Sequence, residues 1–147
     1  MNRRGFLQSV AGTTFGFHVV PRHVLGRGFT PPSEKLNIAG IGIGGQGRGV
    51  IQEMGATENV VALCDVDSNK AAATFRAFPK AEIFRDFRVL LDKQREIDAV
   101  MIATPDHMHA PIAIAALRAG KHVYVEKPMA HSIEEARVMA QIGRAHV

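Results

Sequence analysis

At 147 residues the chain is about one domain long, and with 46% apolar and 22% charged residues it can bury a real core. Its formal charge of +4 does not point to a nucleic-acid partner: residues 1–30 hold Arg3, Arg4, Arg22 and Arg27 and no carboxylate, and the other 14 basic residues (18 less these four) balance the 14 acidic ones. The single cysteine, Cys64, excludes an intrachain disulfide and says nothing about redox compartment.

The first segment, Asn2-Arg3-Arg4-Gly5-Phe6-Leu7-Gln8, resembles a twin-arginine export signal, in which paired arginines precede bulky apolar residues. A mildly apolar stretch runs from Ser9 to Val20, too short for a mature membrane span of about 20 residues. The resemblance implies export to the periplasm or beyond, by a route that carries folded, cofactor-loaded proteins. His18 interrupts the apolar stretch and no Ala-x-Ala site precedes Pro21 or Gly26, so an uncleaved arm on a cytoplasmic protein is the alternative. Residues 21–34, with Pro21, Gly26, Gly28, Pro31 and Pro32, read as a linker, which leaves residues 35–147 as the folded domain.

From Lys35 onward short apolar runs alternate with helical patterns. Leu36–Ile41 is a strand that enters a glycine-rich turn, and Gly47–Gly55 a helix. Val60–Asp65 is a second strand, with Cys64 as a small core residue rather than a reactive thiol, because reactive cysteines need an accessible, electropositive setting. Ser68–Phe78 is a second helix, Glu82–Phe84 a short strand, and Asp86 can N-cap a helix through Leu90, Leu91 and Lys93. Ile97–Ala103 is apolar enough for a strand covered on both faces. His107–Ala119 is a helix stopped by Gly120, and His122–Val125 a fifth strand. Ser132 and Glu135 form a capping box that opens a last helix. Strict alternation predicts the α/β class: a doubly wound parallel sheet of about five strands with helices on both faces.

The turn Gly42-Ile43-Gly44-Gly45-Gln46-Gly47 carries the chemistry. Its first glycine permits a tight turn, its second lets backbone approach a pyrophosphate, and its third lets helix and strand pack. The pyrophosphate then meets the free N–H groups and dipole of a helix N-terminus. Asp65 lies 18 residues past Gly47, close to the roughly 20-residue spacing of a carboxylate that holds the adenosine ribose. A carboxylate there repels a 2′-phosphate, so NAD is expected over NADP, with Arg48 and Lys70 as softening charges.

Two further segments, Thr104-Pro105-Asp106-His107-Met108-His109 after the fourth strand and Glu126-Lys127-Pro128 after the fifth, complete a pattern over about residues 35–140. Together with the glycine turn it resembles the Gfo/Idh/MocA oxidoreductase family of glucose–fructose oxidoreductase and inositol dehydrogenase relatives. The resemblance implies a Rossmann fold that moves hydride between a nicotinamide and a sugar or polyol hydroxyl. It implies that Thr104, Pro105 and His109 line the cofactor crevice near the nicotinamide, and that Glu126 and Lys127 stand at its mouth. Lys127 would be the catalytic residue, orienting and polarising the substrate hydroxyl, with partial desolvation tuning its amine. Whether a cis bond precedes Pro128 is open at this level.

Asp106, His107 and His109 contain metal-ligand types, but residues i and i+2 do not share a helix face and no third ligand set is evident, so no metal is expected. The resemblance also implies a second, substrate-choosing domain and, for full-length members, homo-oligomers. Only Gln141–Val147 follow the core of the last helix, so this chain is expected to hold the cofactor half, to bind nucleotide and to show little turnover alone. Two alternatives stand beside the dehydrogenase: half of an NAD-dependent glycosidase, which oxidises a ring hydroxyl transiently, and a dinucleotide-binding fragment without catalysis.

Overall fold

A computed structural model describes residues 31 and 34–144. The segment read as an export signal lies outside the described residues, and the described fold is the unit that begins at Lys35. Five strands and five helices alternate: β1 Asn37–Ile41, α1 Gln46–Met54, β2 Asn59–Cys64, α2 Ser68–Ala77, β3 Glu82–Phe84, α3 Phe87–Lys93, β4 Ala99–Ile102, α4 Asp106–Arg118, β5 His122–Val125 and α5 Ile133–Arg144. The strands form one sheet in the order β3-β2-β1-β4-β5, and every pairing is parallel. Register is regular except for a shift between β1 and β2 at Ile38/Ala39, where Val61 is skipped.

Period-two alternation along the central strands sorts their side chains into two cores. Ile38, Leu63 and Met101 pack with Ile43, Ile51 and Ala71 under α1 and α2. Ala39, Ile41, Val100 and Ile102 pack with Leu90, Ile112, Ala113 and Met139 under α3, α4 and α5. Both faces of β1 and β4 are therefore covered, which explains why their sequences are apolar throughout.

The helix boundaries have local causes. Asp67 caps α2 by accepting from the Asn69 and Lys70 amides at 3.0 and 3.1 Å, and Asp86 caps α3 through the Arg88 amide at 2.9 Å. Helix α4 ends at Gly120, whose φ of +71° suits a residue without Cβ. Pro111 sits inside α4 at an exposed position, where its missing N–H removes one helical hydrogen bond. The capping box forms as expected: the Ser132 amide donates to Glu135 Oε2 at 2.9 Å and the Glu135 amide to Ser132 Oγ at 3.2 Å.

Two elements differ from expectation. The fourth strand is shorter than Ile97–Ala103, because ladder pairing with β1 and β5 covers only Ala99–Ile102. The last helix continues through Gly143 to Arg144 although the apolar pattern fades there, since backbone hydrogen bonding needs no apolar side chain. No helix among the described residues is long and apolar enough to cross a membrane.

Candidate cofactor-binding site

All five strands run the same way, so the turns leaving β1, β2, β3, β4 and β5 gather at one edge of the sheet. Chain order reverses across the neighbouring pair β1 and β4, and loops that diverge there leave a crevice at the carboxyl ends of the strands. A cleft of about 680 Å³ occupies that position, walled by Gly42, Gly44 and Gly45 from β1, Asp65 from β2, and Thr104 and Pro105 from β4. Six of the residues singled out in the sequence thus share one cavity.

Each glycine has a distinct physical reason. Gly42 has φ +81°, and a Cβ there would meet the Ala103–Thr104 backbone at 2.7 Å. At Gly47 a Cβ would collide with the Gly42 carbonyl and approach Ala103 Cβ to 2.9 Å, so this glycine brings α1 against the sheet. At Gly44 a Cβ would meet Lys70 Cβ at 2.9 Å and Asp65 Oδ2 at 3.1 Å, whereas at Gly45 it would meet nothing within 4 Å. Gly45 is exposed, lines the cleft and directly precedes the first N–H groups of α1.

Asp65 is held by two backbone amides. Its Oδ2 accepts from Gly44 at 2.8 Å and its Oδ1 from Asp67 at 2.9 Å. A carboxylate has about four acceptor positions, so a lone pair on each oxygen remains for a ribose diol. Thr104 Oγ1 adds an independent sign of an expected ligand: it is buried in the crevice wall and has no hydrogen-bond partner among the described residues. The open helix N-terminus, the pre-oriented carboxylate and this unpaired hydroxyl fit a dinucleotide.

Other singled-out residues sit differently. Ile43 is fully buried in the α1/α2 core, so its side chain supports the turn from beneath. Gln46 is exposed outside the cleft lining, and Gly47 is buried in packing. His109, expected to line the crevice, is 1% exposed and outside the cleft lining, and its ring faces two main-chain carbonyls. Glu126 and Lys127 follow β5, one strand beyond the cleft lining. Tyr124 Oη donates to Glu126 Oε1 at 3.0 Å, and that bond together with the carboxylate charge pushes the phenol up from its ordinary value. Lys127 is exposed and joins Pro128 through a cis peptide bond.

Sequence reasoning missed the outer wall of the cleft. Arg85, Asp86, Phe87 and Arg88 leave β3 and close the side beyond Asp65. Asp86 is held below its ordinary value by side-chain and backbone hydrogen bonds from Arg88, whose guanidinium approaches Asp86 Oδ2 at 2.7 Å. Only the placement of β3 beside β2 reveals this wall. Thr74 was also missed: fully buried on α2, it donates to the Ile43 carbonyl at 2.8 Å and so anchors the glycine turn. Among the described residues no group of three or more His, Cys, Asp or Glu is arranged to hold a metal ion.

Over residues 35–146 the sequence matches the Gfo/Idh/MocA oxidoreductase family, characterised by its NAD-binding Rossmann fold. A glycosyl hydrolase family 109 protein of Shewanella amazonensis is 32% identical over 160 aligned positions, spanning 92% of this chain and 35% of the relative. Levoglucosan dehydrogenase of Pseudarthrobacter phenanthrenivorans is 42% identical over 77 positions, 52% of this chain and 20% of the relative. Among solved structures, the WlbA dehydrogenase of Bordetella pertussis, in complex with NADH and UDP-GlcNAcA, superposes with TM-score 0.68 at 28% identity, covering 76% of this chain and 35% of that one. Myo-inositol 2-dehydrogenase of Lactobacillus plantarum gives the same TM-score, 0.68, at 28% identity, covering 76% of this chain and 34% of that one. The chain thus spans about a third of the length of these structural neighbours.

Proposed function

The chain belongs to the Gfo/Idh/MocA family of NAD-dependent oxidoreductases, and from that premise we propose that it is the cofactor half of an enzyme that oxidises a sugar or polyol hydroxyl. The observation that carries this reading is Asp65, clamped by the Gly44 and Asp67 amides at the edge of a crevice whose opposite wall holds the unpaired Thr104 hydroxyl. In this reading Gly42–Gly47 hold the pyrophosphate, Asp65 the adenosine ribose, and Thr104 and Pro105 the nicotinamide side. Bound NAD supplies a hydride acceptor. Oxidation of the alcohol to a carbonyl would give its carbon-bound hydride to bound NAD and its hydroxyl proton to solvent. Lys127 orients and polarises that hydroxyl, and Glu126 stands beside it at the crevice mouth. Exposure of Lys127 in this unit fits a site whose other side comes from a substrate-choosing domain, as the dehydrogenase relatives' greater length suggests.

Calorimetric titration of the chain with NAD and NADP tests the cofactor assignment. NAD should bind more tightly, and Asp65→Ala should erase the preference; tighter NADP binding by the unaltered chain would overturn the role given to Asp65. In a full-length protein carrying this unit, Lys127→Ala should abolish turnover while NAD binding persists, and undiminished turnover would remove Lys127 from the chemistry.

A second reading, an NAD-dependent glycosidase, is favoured by one observation: glycosyl hydrolase family 109 relatives align over 92% of this chain, including residues ahead of Lys35. There the hydride is returned after the leaving group departs. Accumulation of NADH on sugar addition supports the dehydrogenase, and leaving-group release without net NADH supports the glycosidase. The proposal includes a two-part organisation, with residues 1–34 as a twin-arginine leader and linker ahead of the 35–147 cofactor domain, on the paired Arg3-Arg4 and the mildly apolar stretch that follows them. Residues 1–34 fused to a folded reporter should deliver it to the periplasm, and Arg3→Lys with Arg4→Lys should retain it in the cytoplasm. Homo-oligomer formation belongs to the same proposal for full-length protein, checked by light scattering.

A further inference from the structure

The loop that carries Lys127 leaves the sheet after the last ladder contact, where the Glu126 amide donates to the Ile102 carbonyl at 2.9 Å. Beyond it, residues 127–130 make only one hydrogen bond among the described residues, and that bond is to His109. His109 lies in the first turn of α4, where Cα–Cβ bonds tilt toward the helix N-terminus and carry the ring back over the β4–α4 turn. Its Nδ1 is 2.6 Å from the Pro128 carbonyl oxygen and its Nε2 is 2.7 Å from the Thr104 carbonyl oxygen. Carbonyls only accept, so each contact is a hydrogen bond when the nitrogen facing it bears a hydrogen. His109 is 1% exposed, so a ring N–H left without an acceptor there is costly.

We propose that His109 is a positioning residue: from inside the fold it donates through Nδ1 to the Pro128 carbonyl and thereby sets where Lys127 stands relative to the Thr104–Pro105 wall of the crevice. The ring braces on the Thr104 carbonyl and makes no bond to the buried Thr104 hydroxyl, which has no partner among the described residues. Partly buried Ala130 packs on the core below, so the tether and this contact together hold a loop that no backbone ladder holds. The consequence for catalysis rests on the proposed role of Lys127, whereas the tether does not.

Two amide variants separate positioning from a merely structural role, because the amide nitrogen of Asn falls near the place of Nδ1 and that of Gln near the place of Nε2. Each variant keeps one of the two ring contacts and loses the other along with the ring's packing, so both should lower the melting temperature. Only His109→Gln should loosen the Lys127 loop, taking the ¹⁵N order parameters of Lys127, Met129 and Ala130 from about 0.85 to below about 0.6, while His109→Asn keeps them near the unaltered values. Equal loosening in both variants, or in neither, overturns the proposal. The unaltered chain gives a test that needs no variant: ¹⁵N spectra of the His109 ring should show Nδ1 carrying hydrogen, and a bare Nδ1 is incompatible with the tether. Failure of these measurements removes the tether and leaves Lys127 untouched; loss of Lys127 from the chemistry comes only from the turnover assay of Lys127→Ala.

Discussion

Gly47 shows at the scale of one residue why a glycine pattern can be trusted only with its surroundings. Its Cβ position is occupied by the Gly42 carbonyl and crowded by Ala103, so Gly47→Ala must push α1 away from the sheet. A loss of roughly 1–3 kcal/mol on chemical denaturation is expected, in the range of overpacked cores, together with weaker NAD binding. Gly45→Ala is the control, since its Cβ meets nothing within 4 Å and should leave stability nearly unchanged. Cys64 makes a prediction in pH. Burial first, then the Asp65 and Asp86 charges, push its thiol from 9.0 up to about 12. The folded state therefore keeps a proton that the unfolded chain releases above about pH 9, so the stability due to this group is full below that pH and is lost as pH rises toward 12. Denaturation midpoints across that window should fall, and Cys64→Ala should remove this part of the slope. The reading of Cys64 as a buried strand residue was available from its apolar neighbours; the Asp86 charge near it was not, because Asp86 arrives through β3.

At the scale of elements, the glycine turn depends on α2. Thr74 and Ile43 are 31 positions apart, yet the Thr74 hydroxyl holds the Ile43 carbonyl in a dry core. Thr74→Val keeps the shape and removes the donor, leaving a buried acceptor unpaired at a cost of about 1–3 kcal/mol. NAD affinity should fall with it, and Thr74→Ser should restore most of both; unchanged affinity in Thr74→Val would show that the turn needs no anchor. Helix positions were legible because caps and periodicity are local: Asp86 and the Ser132–Glu135 box act where expected, while the Asp67 cap of α2 emerged from the structure. Strand β5 was legible as a strand but not in its setting. Tyr124 on it is 47% exposed, so one face of β5 is open among the described residues while Val123 and Val125 pack on the other core.

For the molecule as a whole, ligand binding and folding are linked, because the crevice exists only when five strand ends are gathered at one edge. NAD should therefore raise the unfolding free energy by about 2.7 kcal/mol at a hundredfold excess over its dissociation constant, read as an NAD-dependent melting temperature. No change in melting temperature at saturating NAD would contradict binding by this unit. The sequence alone determined what depends on neighbours along the chain: the alternation of elements, the caps, the glycine turn, and Asp65 at the spacing of a ribose ligand. These arise from backbone sterics and local hydrogen bonding, which a window of about 20 residues contains. Tertiary structure decided what depends on which strand lies beside which. It put the β3 turn against the cleft, set Thr74 beneath the glycine turn, and placed Lys127 outside the cleft lining. It also set the His109 ring behind the crevice wall, where the two carbonyls it meets come from the turns after separate strands and converge only when β4 and β5 pair.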